Sequence, residues 1–362
     1  MKTLTAIPGP AAAAPPARRI ELLGLSPQSL ANVVSSLGEK PFRSRQLAGW
    51  IYKERVWDFA AMSNLSKPLR AALAEHCSIS KLSLARKQVS QRDGTAKLLF
   101  TCADGETVEA VYLPHEGRAT ACISTQVGCA MGCKFCATGA SGFSRDLSPA
   151  EIVGQVLGIE DELKVTLDNL VYMGMGEPLA NWEAVSESIA ILTAPEGRAW
   201  GKRHITLSTC GVVSGIEALA ASGLGARLAI SLHGPNDAIR GQIMPVNKRW
   251  GVAALMRACR AYQQATGLQL TFEYTLFEGL NDSDDAAREL ARLLKGLECK
   301  VNLIPYNPVE GLPYRMPDFK RVYAFQTLLK QAGLTAMLRT EKGGDIDAAC
   351  GQLRRRAAQE AA

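Results

Sequence analysis

The spacing of hydrophobic and polar residues changes twice along this chain. Residues 20 to 80 read as short helices. "SPQSLANVVSSLG" opens on a Ser cap and stops at Gly, "PFRSRQLAGWIYKE" starts with Pro in a first turn, and "SKPLRAALAEH" makes a third helix. From about 82 to 126 the period is two: "LSLARKQVSQ", "AKLLFTCA", "TVEAVYLP" and "ATACISTQV" alternate. Asp93-Gly94, Asp104-Gly105 and "HEGR" separate them as hairpin turns. From 119 onward strand and helix alternate. Strands are expected at 120–126, 168–174, 204–210, 226–232, 268–277, 300–306 and 334–339. Helices are expected near 149–163, 182–193, 214–222, 251–266, 283–296 and 317–332.

Repeated β-α units imply a parallel sheet. About six units are too few for a closed eight-fold barrel. The expected fold class is therefore α/β: a partial, open β/α barrel with a small N-terminal helical domain and a β-meander linker. The expected divisions are a flexible arm (1–20), a basic helical module (21–80), the meander (81–118), a catalytic domain (119–350) and a basic tail (351–362). In such folds ligands gather where the strands end. Strand one runs into a cysteine loop, the second into "GMGEP" (174–178), the third into "LSTCG" (207–211), the fourth into "SLHGP" (231–235), and "PYNP" (305–308) closes the sixth.

Composition narrows the class. Of 362 residues, 47% are hydrophobic and 21% charged, as expected of a soluble globular chain. No apolar run of membrane-spanning length occurs. The N-terminal stretch carries Pro8, Pro10, Pro15 and Pro16 and does not read as a signal peptide, so a cytoplasmic, reducing compartment is expected. The ten cysteines are then thiols, metal ligands or catalysts rather than staples. Ten Lys/Arg against five Asp/Glu fall within residues 1–80, in a chain whose whole excess is +6. That bias fits a polyanion-binding attachment or a solvated helical surface. Arg43, Arg45, Lys53, Arg55, Lys67 and Arg70, interleaved with Trp50, Tyr52 and Trp57, would meet phosphates and stack on bases, or the aromatics would face the core.

The densest chemistry lies in "GCAMGCKFC", where Cys129, Cys133 and Cys136 follow C-x3-C-x2-C. A structural zinc site wants four ligands, and no His pair stands nearby. Three thiolates on a [4Fe-4S] cluster leave one iron open to a substrate or cofactor. Zinc and idle core thiols are the alternatives. The pattern resembles the radical S-adenosylmethionine (SAM) enzymes, in which the open iron chelates SAM and one electron releases a 5′-deoxyadenosyl radical. Gly176 and Glu177 then suit the SAM amino group. Ser208, Ser231, Leu232, His233 and Asn307 suit its ribose, carboxylate and adenine, and each is also readable as an ordinary polar or core residue at a strand end.

Further stretches carry a closer resemblance: "FRSRQLAGWIY", "VEAVYLP", "RATACISTQVGCAMGCKFCATG", "GFSRDL", "MGMGEPLANW", "ITLSTCGVV", "LAISLHGPND", "CKVNLIPYNP" and "GGDIDAACGQL". Together the chain resembles the bacterial dual-specificity RNA adenine-C2 methyltransferases. The resemblance implies methylation of an adenosine in the peptidyl-transferase centre of 23S rRNA and of the adenosine 3′ to the anticodon in tRNAs. It implies that Cys129, Cys133 and Cys136 hold the cluster, and that Cys350 accepts a methyl group from one SAM. A radical made from a second SAM then takes a hydrogen from that S-methyl group, and the carbon adds to C2. Glu109 would remove the C2 proton, and Cys122 would resolve the protein–RNA adduct through a transient disulfide with Cys350. An electron donor such as flavodoxin is implied as a partner.

Two rivals stay open. A relative that methylates C8 of the same rRNA adenosine keeps the same five cysteines. A non-enzymatic RNA-binding protein with a structural metal would need neither Cys122, Cys350 nor the glycine-rich loop. Cys77, Cys102, Cys210, Cys259 and Cys299 match no motif and are expected to be structural.

Overall fold

The structure, a computed structural model, describes residues 19–353. Nearly all of the expected arm and most of the expected basic tail, including its arginine run, lie outside the described residues.

The N-terminal module starts with the two-residue strand β1 (Ile20–Glu21). Helices α1 (Pro27–Ser36), α2 (Arg43–Ala48) and α3 (Lys67–His76) follow, and β2 (Cys77–Ser78) pairs back on β1. Ser26 and Ser66 cap α1 and α3 through their side chains, satisfying backbone N–H groups that the first turn leaves open. The segment after α2 winds into a π-helical turn, Gly49–Lys53. It turns Tyr52 inward, where its hydroxyl accepts from Gly24 N (3.1 Å) and donates to Leu25 O (2.9 Å).

The meander consists of β3 (Ser83–Val89), β4 (Ala96–Thr101), β5 (Thr107–His115) and β6 (Arg118–Cys122), antiparallel throughout. β7 (Gln126–Gly128), α4 (Ala137–Ala140) and β8 (Phe143–Asp146) frame the cysteine loop, with β7 and β8 paired as a small ribbon. α5 (Pro149–Leu163) begins at a capping box between Ser148 and Glu151. The parallel strands and their helices then alternate: β9 (Asn169–Tyr172), α6 (Trp182–Thr193), β10 (Ile205–Thr209), α7 (Val213–Ala221), β11 (Arg227–Ser231), α8 (Asp237–Ile243), α9 (Val252–Thr266), β12 (Leu270–Leu276), α10 (Asp284–Leu294), β13 (Cys299–Pro305), α11 (Phe319–Gln331) and β14 (Thr335–Leu338).

One ten-stranded sheet joins meander and barrel. Its order is β14-β13-β12-β11-β10-β9-β6-β5-β4-β3. β6 is antiparallel to β5 and parallel to β9, so the meander is a continuation of the barrel wall rather than a separate linker. The barrel is open: β14 and β3 are both edges. Helices cover the outer face, and strands such as β12 are buried on both faces, as parallel strands generally are.

The segment after β14 spans the gap. Gly343 N donates to Asp93 Oδ2 (3.1 Å), Ser90 Oγ to Asp345 Oδ1 (2.7 Å), and Lys97 Nζ to Asp347 O (3.1 Å). These contacts tie residues 343–347 to the far end of the sheet. The N-terminal module docks on the barrel through Arg55, whose Nε lies 2.8 Å from Asp161 and Nη1 3.2 Å from the buried Glu160.

Candidate active site

The C-terminal ends of the parallel strands surround an open cleft. Cys129, Cys133 and Cys136 line one side. Gly176, Glu177, Ser208, Ser231, His233, Asn307 and Cys350 line the rest. A parallel β/α array places every loop of this kind on the same edge, which is why residues up to 221 positions apart meet here.

The cysteine loop is anchored at both ends. Cys129 N donates to Gly142 O (2.9 Å), and Lys134 N donates to Ile243 O (2.9 Å). Burial pushes the Cys129 thiol up to about 12 and raises Cys133, with the neighbouring cysteines and Glu177 adding to it. Such thiols become thiolates when a metal displaces their protons. Ligands of one tetrahedral zinc ion sit about 3.8 Å apart for a Zn–S bond near 2.3 Å. Among the described residues, the group of acidic and thiol ligand atoms within 4.8 Å of one another is Cys102, Asp104 and Glu151, not the trio. That group is organised around a cation already present, since Arg145 pairs with Asp104 (2.6 Å) and Glu151 (2.8 Å). The wider trio fits a cluster, in which each thiolate binds a different iron, better than it fits a single ion.

Glu177 is fully buried. Its carboxylate accepts from Leu179 N (3.0 Å) and Cys210 N (2.7 Å), so it braces the 174–178 loop against the end of β10. Burial holds its pKa above the ordinary carboxylate range. Gly176 has φ +100°, and a Cβ there would lie 2.6 Å from Gln126 Cβ. Only glycine lets this turn pass so close to the cysteine loop. Gln126 Oε1 accepts from Glu177 N (2.9 Å), which locks the two loops together.

His233 is 4% exposed, with φ +54°. Its Nδ1 accepts from Thr275 N (2.9 Å), so Nε2 carries the ring proton. Burial, with nearby Arg240, lowers its pKa to about 3 and keeps the ring neutral. Its edge meets Phe135 of the cysteine loop at 4.9 Å between centroids. Leu232 is not brought to the cleft. It is wholly buried, its N–H donates to Glu273 O (3.0 Å) and its carbonyl accepts from Arg240 Nε (3.1 Å), so neither backbone group is left for a ligand.

Cys122 and Cys350 differ in setting. Cys350 is exposed and lines the cleft, and its carbonyl accepts from Asn307 Nδ2 (3.3 Å). Cys122 is buried at the end of β6, in a small apolar cluster with Val111, Met175, Ala348 and Leu353. Burial, followed by the Cys350 sulfur, pushes its thiol up to about 12. The two sulfurs are thus electrostatic neighbours although their residues lie at opposite ends of the barrel domain. Glu109 is not in the cleft lining. It is 4% exposed on β5, 3.4 Å from Lys97 Nζ. Val111 pairs directly with Cys122, and residues two apart share a sheet face. Glu109 therefore faces the same side as Cys122, under the segment that carries Cys350.

Three charged residues went unread in the sequence. Arg240 is fully buried and joins three loops, donating to Leu232 O, to Asn247 Oδ1 (2.8 Å) and to Cys210 O. Glu273 and Arg339 line the cleft beside Cys350. A glutamate amid the apolar residues of "LTFEYTL" was the available signal. The basic helical module also differs from its base-stacking reading. Tyr52 is 1% exposed, and Arg55 is engaged by Glu160 and Asp161. Trp50 donates to Asn64 Oδ1 (2.6 Å) and Trp57 lies beneath Lys81. Lys53 and Lys67 remain exposed, and so does Arg45 beside Glu196.

Comparison with known proteins agrees with this geometry. Residues 20–79 match the ribosomal RNA large subunit methyltransferase N-terminal domain, and residues 123–291 match the radical SAM superfamily. The chain is 44% identical to the dual-specificity RNA methyltransferase RlmN of Rhodospirillum rubrum, over 92% of this chain and 80% of that one. It is 48% identical to a Thermotoga neapolitana protein named "Probable dual-specificity RNA methyltransferase RlmN", over 92% and 97%. A radical SAM methyltransferase from Sphaerobacter thermophilus superposes with a TM-score of 0.88 at 43% identity, covering 93% of this chain and 100% of that one. The chain belongs to the RlmN family of radical SAM RNA methyltransferases.

Proposed function

We propose that this enzyme methylates C2 of adenosine, both in the peptidyl-transferase centre of 23S rRNA and 3′ to the anticodon of tRNAs. The meeting of Cys350 with the three-cysteine loop in one cleft, with Cys122 behind it, supports a sulfur-borne methyl transfer that the C8-modifying relatives share. The 44–48% identity to RlmN proteins over nearly the whole chain favours C2. C2 of adenine is electron-poor and does not attack SAM directly, so the carbon needs a carrier that is both nucleophilic and releasable. Two thiols supply that.

A [4Fe-4S] cluster on Cys129, Cys133 and Cys136, with SAM at its open iron, supplies the radical chemistry when bound. The chain's own residues hold the rest. Gly176 lets backbone approach, Glu177 keeps the loop in place, and Ser208, Ser231 and Asn307 offer hydrogen bonds at the strand ends. Neutral His233 presents an Nε2–H. Cys350 receives the methyl group, with its sulfur lone pair forming the new S–C bond as the sulfonium releases its own. Glu109 takes the C2 proton once the segment over it shifts, and Lys97 keeps its charge balanced. Cys122 then attacks the Cys350 sulfur, and the S–S bond forms as the S–CH2 bond breaks. The released electron pair stays with the adenine-bound carbon, which takes up a proton to become the methyl group. An external dithiol reductant returns the disulfide to two thiols. Residues 21–80, through Lys53, Lys67 and Arg45, add sequence-independent phosphate contacts, and a flavodoxin-like donor supplies electrons.

The test is anaerobic reconstitution with SAM, reductant and large-subunit rRNA, followed by mass spectrometry of the digested nucleosides. 2-Methyladenosine, absent with Cys350→Ala, is the expected product. 8-Methyladenosine would transfer the chain to the C8-modifying relatives.

A further inference from the structure

Inside the barrel wall, Glu273 of β12, Asn302 of β13 and Arg339 just past β14 stand side by side. Glu273 and Asn302 are register partners. Asn302 Nδ2 donates to Glu273 Oε1 (2.9 Å). The other carboxylate oxygen, Oε2, is buried and has no hydrogen-bond partner. Arg339 Nη1 lies 3.6 Å from it, in ion-pair range but beyond a hydrogen bond. The main chain at Arg339 is anchored to the neighbouring strand, as its backbone N donates to Leu303 O (2.8 Å). Glu273 and Arg339 both line the cleft.

A buried carboxylate oxygen without a donor is costly to keep. Its neighbour Asn302 needs only Oε1, and packing alone needs neither charge. The pair therefore offers a ligand one strong acceptor beside a fork of donors. Arg339 is also the member nearest the sulfur chemistry: the Cys350 sulfur is the foremost influence keeping it charged, with Glu273 and Cys122 behind. Arg339 thus pairs with Glu273 on one side and lies in electrostatic reach of the Cys350 sulfur, all three lining one cleft, which reads as acceptor, donor, sulfur.

We propose that Glu273 and Arg339 form the subsite that reads the edge of the target adenine, with Glu273 Oε2 accepting from the exocyclic amino group and Arg339 donating to the ring nitrogen beside it. The assignment rests on the adenosine reading above. Along its Watson–Crick edge adenine presents N6–H, then N1, then C2–H, in the same order as acceptor, donor and sulfur. The carbon to be methylated is thereby delivered to Cys350 by recognition of the two groups next to it. Along the Hoogsteen edge the order is N6–H, N7, C8–H. The same subsite thus accepts either edge, which accounts for C2 and C8 enzymes keeping the same five cysteines. The choice between them falls to whatever fixes the ribose, not to this pair.

The experiment uses the full-length, cluster-loaded protein and rRNA fragments carrying adenosine, purine riboside or inosine at the target position. Binding is measured by fluorescence anisotropy and methylation in single turnover. Purine riboside lacks the amino donor, and inosine reverses the pattern to C=O and N1–H. Both should bind or react about ten- to hundredfold worse than adenosine, as expected for a lost hydrogen bond to a charged partner. Glu273→Gln, whose amide can donate to a carbonyl, should narrow the gap between inosine and adenosine. Equal handling of all three RNAs by the wild type overturns the subsite while leaving the methyltransferase reading intact. A binding preference for adenosine with no methylated product supports the subsite and fails the reading of the product instead. If Glu273→Gln weakens SAM binding by calorimetry and leaves the RNA ratios unchanged, the pair holds the cofactor's adenine and the assignment to the target base falls.

Discussion

Cys350 sits in the open cleft and Cys122 behind an apolar wall, and in the proposed mechanism this asymmetry orders their reactions. An exposed sulfur meets SAM first, whereas a buried one, held protonated by burial, waits until the segment bearing Cys350 moves. Cys122→Ala should therefore leave methylation of Cys350 intact and accumulate a covalent protein–RNA species, seen as a shifted band on a denaturing gel. His233 offers a second residue-level test. Its folded-state pKa is about 3, against an ordinary value of 6.5. Between those values the unfolded chain binds a proton that the folded chain refuses. Its contribution to stability is thus complete above pH 6.5 and declines as pH falls towards 3, with a slope of up to about 1.4 kcal/mol per unit. Urea midpoints between pH 7 and 4.5 should fall less steeply in His233→Gln than in the wild type. These residues were legible for different reasons. The cysteine trio shows in its spacing alone, while Ser231 and His233 show because a strand end in such a fold faces ligands. Leu232 between them, just past the end of β11, is wholly buried and does not line the cleft, a detail the strand pattern could not show because the chain leaves the extended conformation at His233.

At the scale of elements, the site depends on loops wedged against one another. Gly176→Ala forces a side chain into a positive-φ turn and to within 2.6 Å of Gln126. A loss of at least about 2 kcal/mol in unfolding free energy is expected, with reduced iron retention after reconstitution, read by denaturant titration and metal analysis. The sequence pattern located α5 and α6 to the residue, because a capping box or a clear apolar stripe marks each of them. It passed over α8, seven residues long and capped by Asn236, and with it Arg240, whose cross-links set the height of three loops. A helix of two turns has too little periodicity to stand out from a loop. Glu273 escaped for a related reason: an inward position of a parallel strand looks like any other residue in a buried run, and only its charge betrays it, while Arg339 lies just past the end of β14.

Across the whole molecule, most of the +6 excess falls within residues 1–80, yet Arg43, Arg55 and Arg70 are engaged by contacts within the protein. Removing Lys53 and Lys67 together should lower RNA affinity equally for target and non-target sequences. It should also reduce the slope of log affinity against log salt by about 1.4–1.8, for two phosphate contacts. Arg55→Ala should act differently, leaving the salt slope unchanged and speeding proteolysis between module and barrel, since its partners are Glu160 and Asp161. The open barrel was legible from the count of β/α units. That the meander belongs to its wall was not, because pairing between β6 and β9 depends on three-dimensional closure. The strand order has one more implication. Apart from the β7–β8 ribbon, the sheet is laid down in the order of the chain, so a nascent polypeptide emerging from the ribosome can add each strand to a finished edge. The segment bearing Cys350 follows the edge strand β14, and under the proposed mechanism a chain cut short after β14 would keep the three-cysteine loop but have no sulfur to carry the methyl group. Under that mechanism residues 343–353 couple the radical chemistry to a methyl acceptor, and a product truncated before them would spend SAM without an outlet.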